Sequence, residues 1–135
     1  MPHSAHEPEQ PEAVVPGQGL AVTAESLYIL NLLLLPGLAF LLLLLVYRKN
    51  IHSAPALAVC HLRQTLSASL WAGALLLLAN GLIVLLGGYH SAHTWVVVII
   101  YFTTCHATLV LLGVLGLAKA LAGQCFRYPL VGRPV

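Results

Sequence analysis

Residues 32–46 read LLLLPGLAFLLLLLV, and no side chain among them is charged or strongly polar. Apolar flanks extend the run from Leu27 to Tyr47, and Arg48-Lys49 ends it sharply. A helix gains about 1.5 Å per residue, so a hydrocarbon core of about 30 Å takes about 20 residues to cross. The stretch therefore reads as a membrane span. Pro36-Gly37 interrupts it. In lipid such a pair is expected to kink a helix without ending it, because neighbouring helices can re-satisfy the freed carbonyl.

Two further apolar runs follow. The second, 66–86, contains Ser67, Ser69, Gly73, Asn80 and Gly81. Ser69 and Gly73 share a helical face, and small residues at that spacing let helices approach closely. The third, 94–121, carries Trp95 and Tyr101 near its start, a polar middle of Thr103, Thr104, Cys105, His106 and Thr108, and then Gly113 and Gly116. A short loop, 87–93, forces these two runs to be antiparallel. Before the second run, NIHSAPALAVCHLRQ (50–64) mixes apolar residues with His61, Arg63 and Gln64. Ser53 ahead of Ala54-Pro55 resembles an N-cap with proline in the first turn. A short interfacial helix running on into the second span is expected here. The expected fold class is all-α: a three-helix integral membrane protein with spans at 27–47, 66–86 and 94–121. These lie in a membrane domain, 25–122, between an irregular acidic tail, 1–24, and a basic tail, 123–135. The first tail is rich in proline and glycine and lacks the basic start of a signal peptide.

Composition agrees. The chain is 59% hydrophobic and 7% charged, against about 25% charged in soluble domains. Its four acids, Glu7, Glu9, Glu12 and Glu25, precede all six bases, Arg48, Lys49, Arg63, Lys119, Arg127 and Arg133. With three spans every base falls on one side, which the positive-inside rule assigns to the cytoplasm. The N-terminus is then expected outside and the C-terminus in the cytoplasm. The bases are too few and too dispersed for a nucleic-acid face.

His106 is the residue on which intramembrane chemistry would depend, since an ionisable group at that depth is a functional candidate by default. Depth arithmetic brings Asn80, roughly 10 Å below the outer boundary of its span, near Thr103 and Thr104, one turn above His106. Asn80, Thr103, Thr104 and His106 are therefore expected to form an interhelical polar cluster, with a proton or ion path as the alternative. Bis-histidine haem would need a second histidine at like depth, and the spans offer none. His3-x-x-His6 and His90-x-x-His93 have a spacing compatible with metal, but neither lies in a confident helix nor is joined by Cys or Asp. Cys60, Cys105 and Cys125 have no C-x-x-C spacing and are read as small buried hydrophobes. No Gly-x-Ser-x-Gly, His-Glu-x-x-His or phosphate loop occurs, so no enzyme and no cofactor is expected.

Two segments carry a resemblance. HLRQTL (61–66) introduces the second span, and AKALAGQCFRYPL (118–130) closes the third. Together they resemble the bacterial membrane family called domain of unknown function 4870, itself distantly similar to a component of the chloroplast inner-envelope import channel. The resemblance covers roughly residues 27–130. Thr65 and Ser67 depart from the Ala and Asn that the family tends to have. The resemblance implies a multi-pass protein of the bacterial inner membrane but no settled activity. His61, Arg63, Gly123, Arg127, Tyr128 and Pro129 are the matching positions. Gly123 suits a helix C-cap and Pro129 blocks return to helix, so this motif is expected to pin the interfacial segment to the end of the third span.

The function expected from these readings is a non-catalytic accessory or assembly subunit, in contact with the lipid bilayer and with other membrane subunits or its own copies. A small oligomeric transporter or channel component with a polar path around His106 is the alternative.

Overall fold

The structure, a computed structural model, describes residues 13–134. Four helices make up the fold, with no strand among the described residues: α1 (Gln18–Leu33), α2 (Leu38–Asn50), α3 (Ala56–Leu85) and α4 (Ala92–Leu121). Only α3 and α4 are long and apolar enough to cross a membrane, at 30 residues each, or about 45 Å.

The first expected span is not one helix. After Leu33 the chain turns back on itself, and α2 runs antiparallel to α1. Leu43 of α2 consequently packs against Ala24 of α1, together with Leu62 of α3, while Leu20, Leu27, Val46 and Tyr47 close round them. The reason is local. Pro36 cannot donate a backbone hydrogen bond, and Gly37 adopts φ +86°, which side chains with a Cβ rarely reach. Asn31 Oδ1 accepts the Gly37 N–H at 3.0 Å and fixes the turn. A Pro-Gly pair that could have kinked a span here makes a hairpin, whose arms rise only about 20–24 Å.

The correction propagates to topology. Gly17, just before α1, lies against Pro55 and Ala58 at the start of α3, and Val15 touches the Gly123 position beyond α4. The described start of the chain therefore shares one end of the molecule with its C-terminal segment, where a three-span count had them at opposite ends. That end also carries Arg48 and Lys49 in the last turn of α2 and Lys119 in the last turn of α4. Residues 18–24, expected in an irregular tail, form the first turns of α1.

No separate interfacial helix occurs. The helix that begins at Ala56, directly after Pro55, continues unbroken to Leu85. Its end is marked by Gly87 and Gly88, both at positive φ. Ser91 then caps α4, accepting the His93 N–H.

Within α4 the turn Tyr101–His106 is a π-helix. Thr103 Oγ1 donates to the Ile99 carbonyl at 2.7 Å and Thr104 Oγ1 to that of Ile100. Such back-bonding competes with the backbone ladder and loosens a helix. The Ala107 N–H reaches five residues back to Phe102, and the widened turn carries the aromatic residues that bear on the cavity described below.

Helix α1 packs between α3 and α4, parallel to the first and antiparallel to the second. Two glycines of α4 make this possible: a Cβ at Gly113 would lie 2.8 Å from the Tyr28 ring, and one at Gly116 would lie 2.5 Å from the Glu25 carboxylate. Tyr28, Ala68, Leu112 and Tyr128 form the core at this contact.

Candidate functional site

The most polar part of the interior lies at the basic end. Glu25, on the face of α1 turned toward α3 and α4, is wholly buried, as are His61 and Gln64 of α3. Glu25 Oε1 meets His61 Nδ1 at 2.5 Å. Glu25 Oε2 accepts the hydroxyl of Tyr128, which is also buried and lies beyond α4. His61 Nε2 reaches the Gln124 carbonyl at 2.9 Å.

The proton count follows from these partners. A carbonyl only accepts, so His61 Nε2 must carry hydrogen. One further proton then lies between Nδ1 and Oε1. On the imidazole it makes an ion pair, and on the carboxyl a neutral pair. Either way the pair has no net charge, which is how two ionisable groups are tolerated in an apolar interior. Burial and the neighbouring Glu25 hold the Tyr128 phenol far above its ordinary range, so it stays a hydrogen-bond donor.

The segment after α4 is fastened along α3 by the same means. Gln64 Oε1 accepts the Tyr128 N–H at 3.4 Å, and Gln64 Nε2 donates to the Arg133 carbonyl at 2.7 Å. Ser67 Oγ donates to the Val131 carbonyl at 2.7 Å. Gly123, at φ +67°, starts the segment with a helix-closing motif: its N–H bonds Ala120 and that of Gln124 bonds Lys119. Gln18 Nε2 of α1 caps the Leu121 carbonyl at 2.6 Å. A disulfide, Cys60–Cys125, joins α3 to this segment across 65 residues. Both cysteines had been expected as unpaired buried hydrophobes. They meet because the segment folds back beside His61, a proximity that no local spacing encodes.

Chemically this arrangement is a clasp. Its carboxylate, imidazole and phenol are all satisfied within the chain, and none of the three lines either of the cavities described here. It offers no free base or nucleophile. Of the tail-motif residues, His61, Gly123 and Tyr128 take part, while Arg63, Arg127 and Pro129 are exposed.

The polar residues of the second and third runs are placed differently. Asn80 Nδ2 bonds its own helix at Leu76, and its Oδ1 accepts from Tyr89. Thr103 and Thr104 bond back to α4. The structure thus gives Asn80 no bond to Thr103, Thr104 or His106. His106 instead stacks near Phe102, with ring centroids 5.2 Å apart, and makes no side-chain hydrogen bond among the described residues. It faces a cavity of about 650 Å³ above the tip of the α1–α2 hairpin, walled by Pro36, Gly37, Ser69, Gly73, Tyr101 and Phe102. His90 and His93 are exposed loop residues, and no group of three metal-ligating side chains occurs among the described residues. His3 and His6 lie outside the described residues.

Comparison of the chain with protein-family models, with curated proteins and with solved structures gives no match.

Sequence reasoning missed Glu25 and Gln64. Glu25 was grouped with the acids of the tail. The signal that could have separated it is position: it stands 13 residues after Glu12, beside the apolar run LYILNLLLL (27–35). An acid that close to a span is costly unless paired, and His61 was the nearest histidine to a helix start.

Proposed function

We propose that this chain is a non-catalytic multi-pass protein of the bacterial inner membrane that associates with other membrane subunits as an accessory or assembly element. The observation that carries the reading is how little the two long helices cover each other: only 22% of the most apolar stretch of α3 and 17% of that of α4 is buried. Leu76, Leu77, Leu78, Val84 and Leu85 of α3, and Trp95, Val96, Ile99 and Ile100 of α4, are all exposed. They lie beyond the short hairpin, where α1 and α2 no longer flank them. Lipid can solvate such surfaces, but helix pairs in membranes gain order by packing against further helices.

The clasp supports the same reading, because every reactive group in it is already engaged. Its role is to hold the hairpin, α3 and the C-terminal segment as one body. All six bases gather toward the clasp end, which the positive-inside rule places in the cytoplasm.

The transporter reading has one supporting observation, the position of His106 on a cavity. The walls of that cavity are largely apolar, and Asn80, Thr103 and Thr104 are not among them, so a water-filled path finds little support. Modification of Cys105 by water-soluble thiol reagents would favour a path.

The test of association is mild solubilisation followed by native mass spectrometry of the purified protein. Co-purifying membrane subunits, or discrete oligomers, are the expected result. A strictly monomeric species without partners would overturn the reading.

A further inference from the structure

We propose that the cavity above the hairpin tip binds the ring of a membrane quinone, held by a hydrogen bond from Ser69 and flanked by His106 and the aromatic side chains of the π-turn. Among the described residues Ser69 Oγ is the one buried side-chain polar atom without a partner. Its isolation is unusual within this fold. Thr23, Thr65, Thr103, Thr104 and Thr108 all bond the carbonyl four residues back in their own helices, and Ser67 bonds Val131. Ser69 lines the cavity instead. A buried hydroxyl without a partner costs about 1–3 kcal/mol, and a ligand that accepts its proton would remove that cost.

The cavity has the size and character of a small-molecule site. At about 650 Å³ it falls in the usual range for such pockets, which are mostly apolar with a few placed polar groups. Tyr101, Phe102 and His106 supply flat faces, with the Tyr101 and Phe102 rings edge to face at 5.3 Å. They are presented together by the π-turn, a feature frequent at functional sites. The His106 imidazole is a second group able to hydrogen-bond a carbonyl.

Depth selects the occupant. Ser69 lies about 20 Å along a helix of about 45 Å, close to its middle. Ester carbonyls of ordinary glycerolipids sit at the edge of the hydrocarbon core, about 15 Å from the midplane. Their acyl chains reach the cavity but bring no acceptor to Ser69. A quinone is neutral, flat and apolar enough to enter the bilayer interior, and it carries carbonyl acceptors on its ring.

The proposal takes the membrane location from the preceding reading but not the association with partners. The full chain is reconstituted in quinone-free phosphatidylcholine nanodiscs, and its co-migration with the discs checks membrane location separately. A photoreactive short-chain quinone is then titrated, and labelled peptides are mapped. Saturable labelling within 101–106 or 69–77 is expected, displaced by unlabelled quinone and not by diacylglycerol. Ser69→Ala should weaken binding roughly tenfold, the equivalent of one hydrogen bond of about 1.4 kcal/mol. Gly73→Leu should abolish it, since a Cβ there meets nothing within 4 Å and the added chain fills the cavity without disturbing the fold. Leu77→Trp, at another wall residue, replaces it if Gly73→Leu lowers the melting temperature. Labelling that does not saturate, displacement by diacylglycerol, or unchanged affinity in Ser69→Ala or in the cavity-filling variant would each overturn the proposal.

Discussion

The hydroxyl of Tyr128, beyond the last helix, donates to the carboxylate of Glu25 in the first, across 103 residues of sequence. Through that one contact the C-terminal segment, the hairpin and, by way of His61, the start of α3 are tied into a single buried polar group.

Removing one partner of a buried pair leaves the other desolvated and uncompensated. Glu25→Leu, which strands His61 Nδ1, should cost about 3–5 kcal/mol. Tyr128→Phe, which removes one donor from Glu25, should cost about 1–3 kcal/mol. Thermal unfolding in detergent reads both. Unchanged melting of Tyr128→Phe would show that the segment is held without this hydrogen bond.

The glycines of the long helices should not be equivalent. Gly116→Ala forces its methyl group to within 2.5 Å of the Glu25 carboxylate and 2.6 Å of the Tyr128 hydroxyl, an overpacking expected to cost about 1–3 kcal/mol. At Gly81 an added Cβ meets nothing within 4 Å. Gly81→Ala should therefore be neutral or stabilising by up to about 1 kcal/mol from helix propensity. Equal effects at the two positions would contradict the packing of α1 on α4.

The Cys60–Cys125 bridge closes a separation of 65 residues, for which the chain-entropy estimate is about 4 kcal/mol. Purified protein, denatured without reductant, should present one titratable thiol, Cys105, and three after reduction. The basic end is expected to face the cytoplasm, where thiols are kept reduced. Cells quenched with an alkylating reagent should accordingly yield three alkylated cysteines, the bridge forming on isolation in air. Finding Cys60 and Cys125 already bridged in quenched cells would place that end in an oxidising compartment and reverse the proposed orientation.

Topology distinguishes a hairpin from a kinked span. Reporter tags at Val15 and after Arg133 should be accessible from the same side of the membrane, and a tag at His90 from the other. Tags at Val15 and the C-terminus on opposite sides would restore three spans. Gly37→Val, which the φ of +86° disfavours, should destabilise the turn without altering the side on which Arg48 resides.

The all-helical class and the two long apolar helices were legible in the sequence, because runs of lipid-compatible side chains and their glycine-marked ends are local properties. So was the helix cap at Gly123, which depends on one residue's conformational freedom. Three things were decided only in three dimensions. Pro36-Gly37 is compatible with either a kink or a reversal, and the contacts of Leu43 with Ala24 and Leu62 select the reversal. Reversing the chain there brings the start of α1 to the basic end. Glu25 then meets His61 and Tyr128, and Cys60 meets Cys125, at separations of 36, 103 and 65 residues. Sequence periodicity reports which face of a helix is apolar. It does not report which distant polar group that face will shelter, because that pairing depends on the direction in which each helix runs.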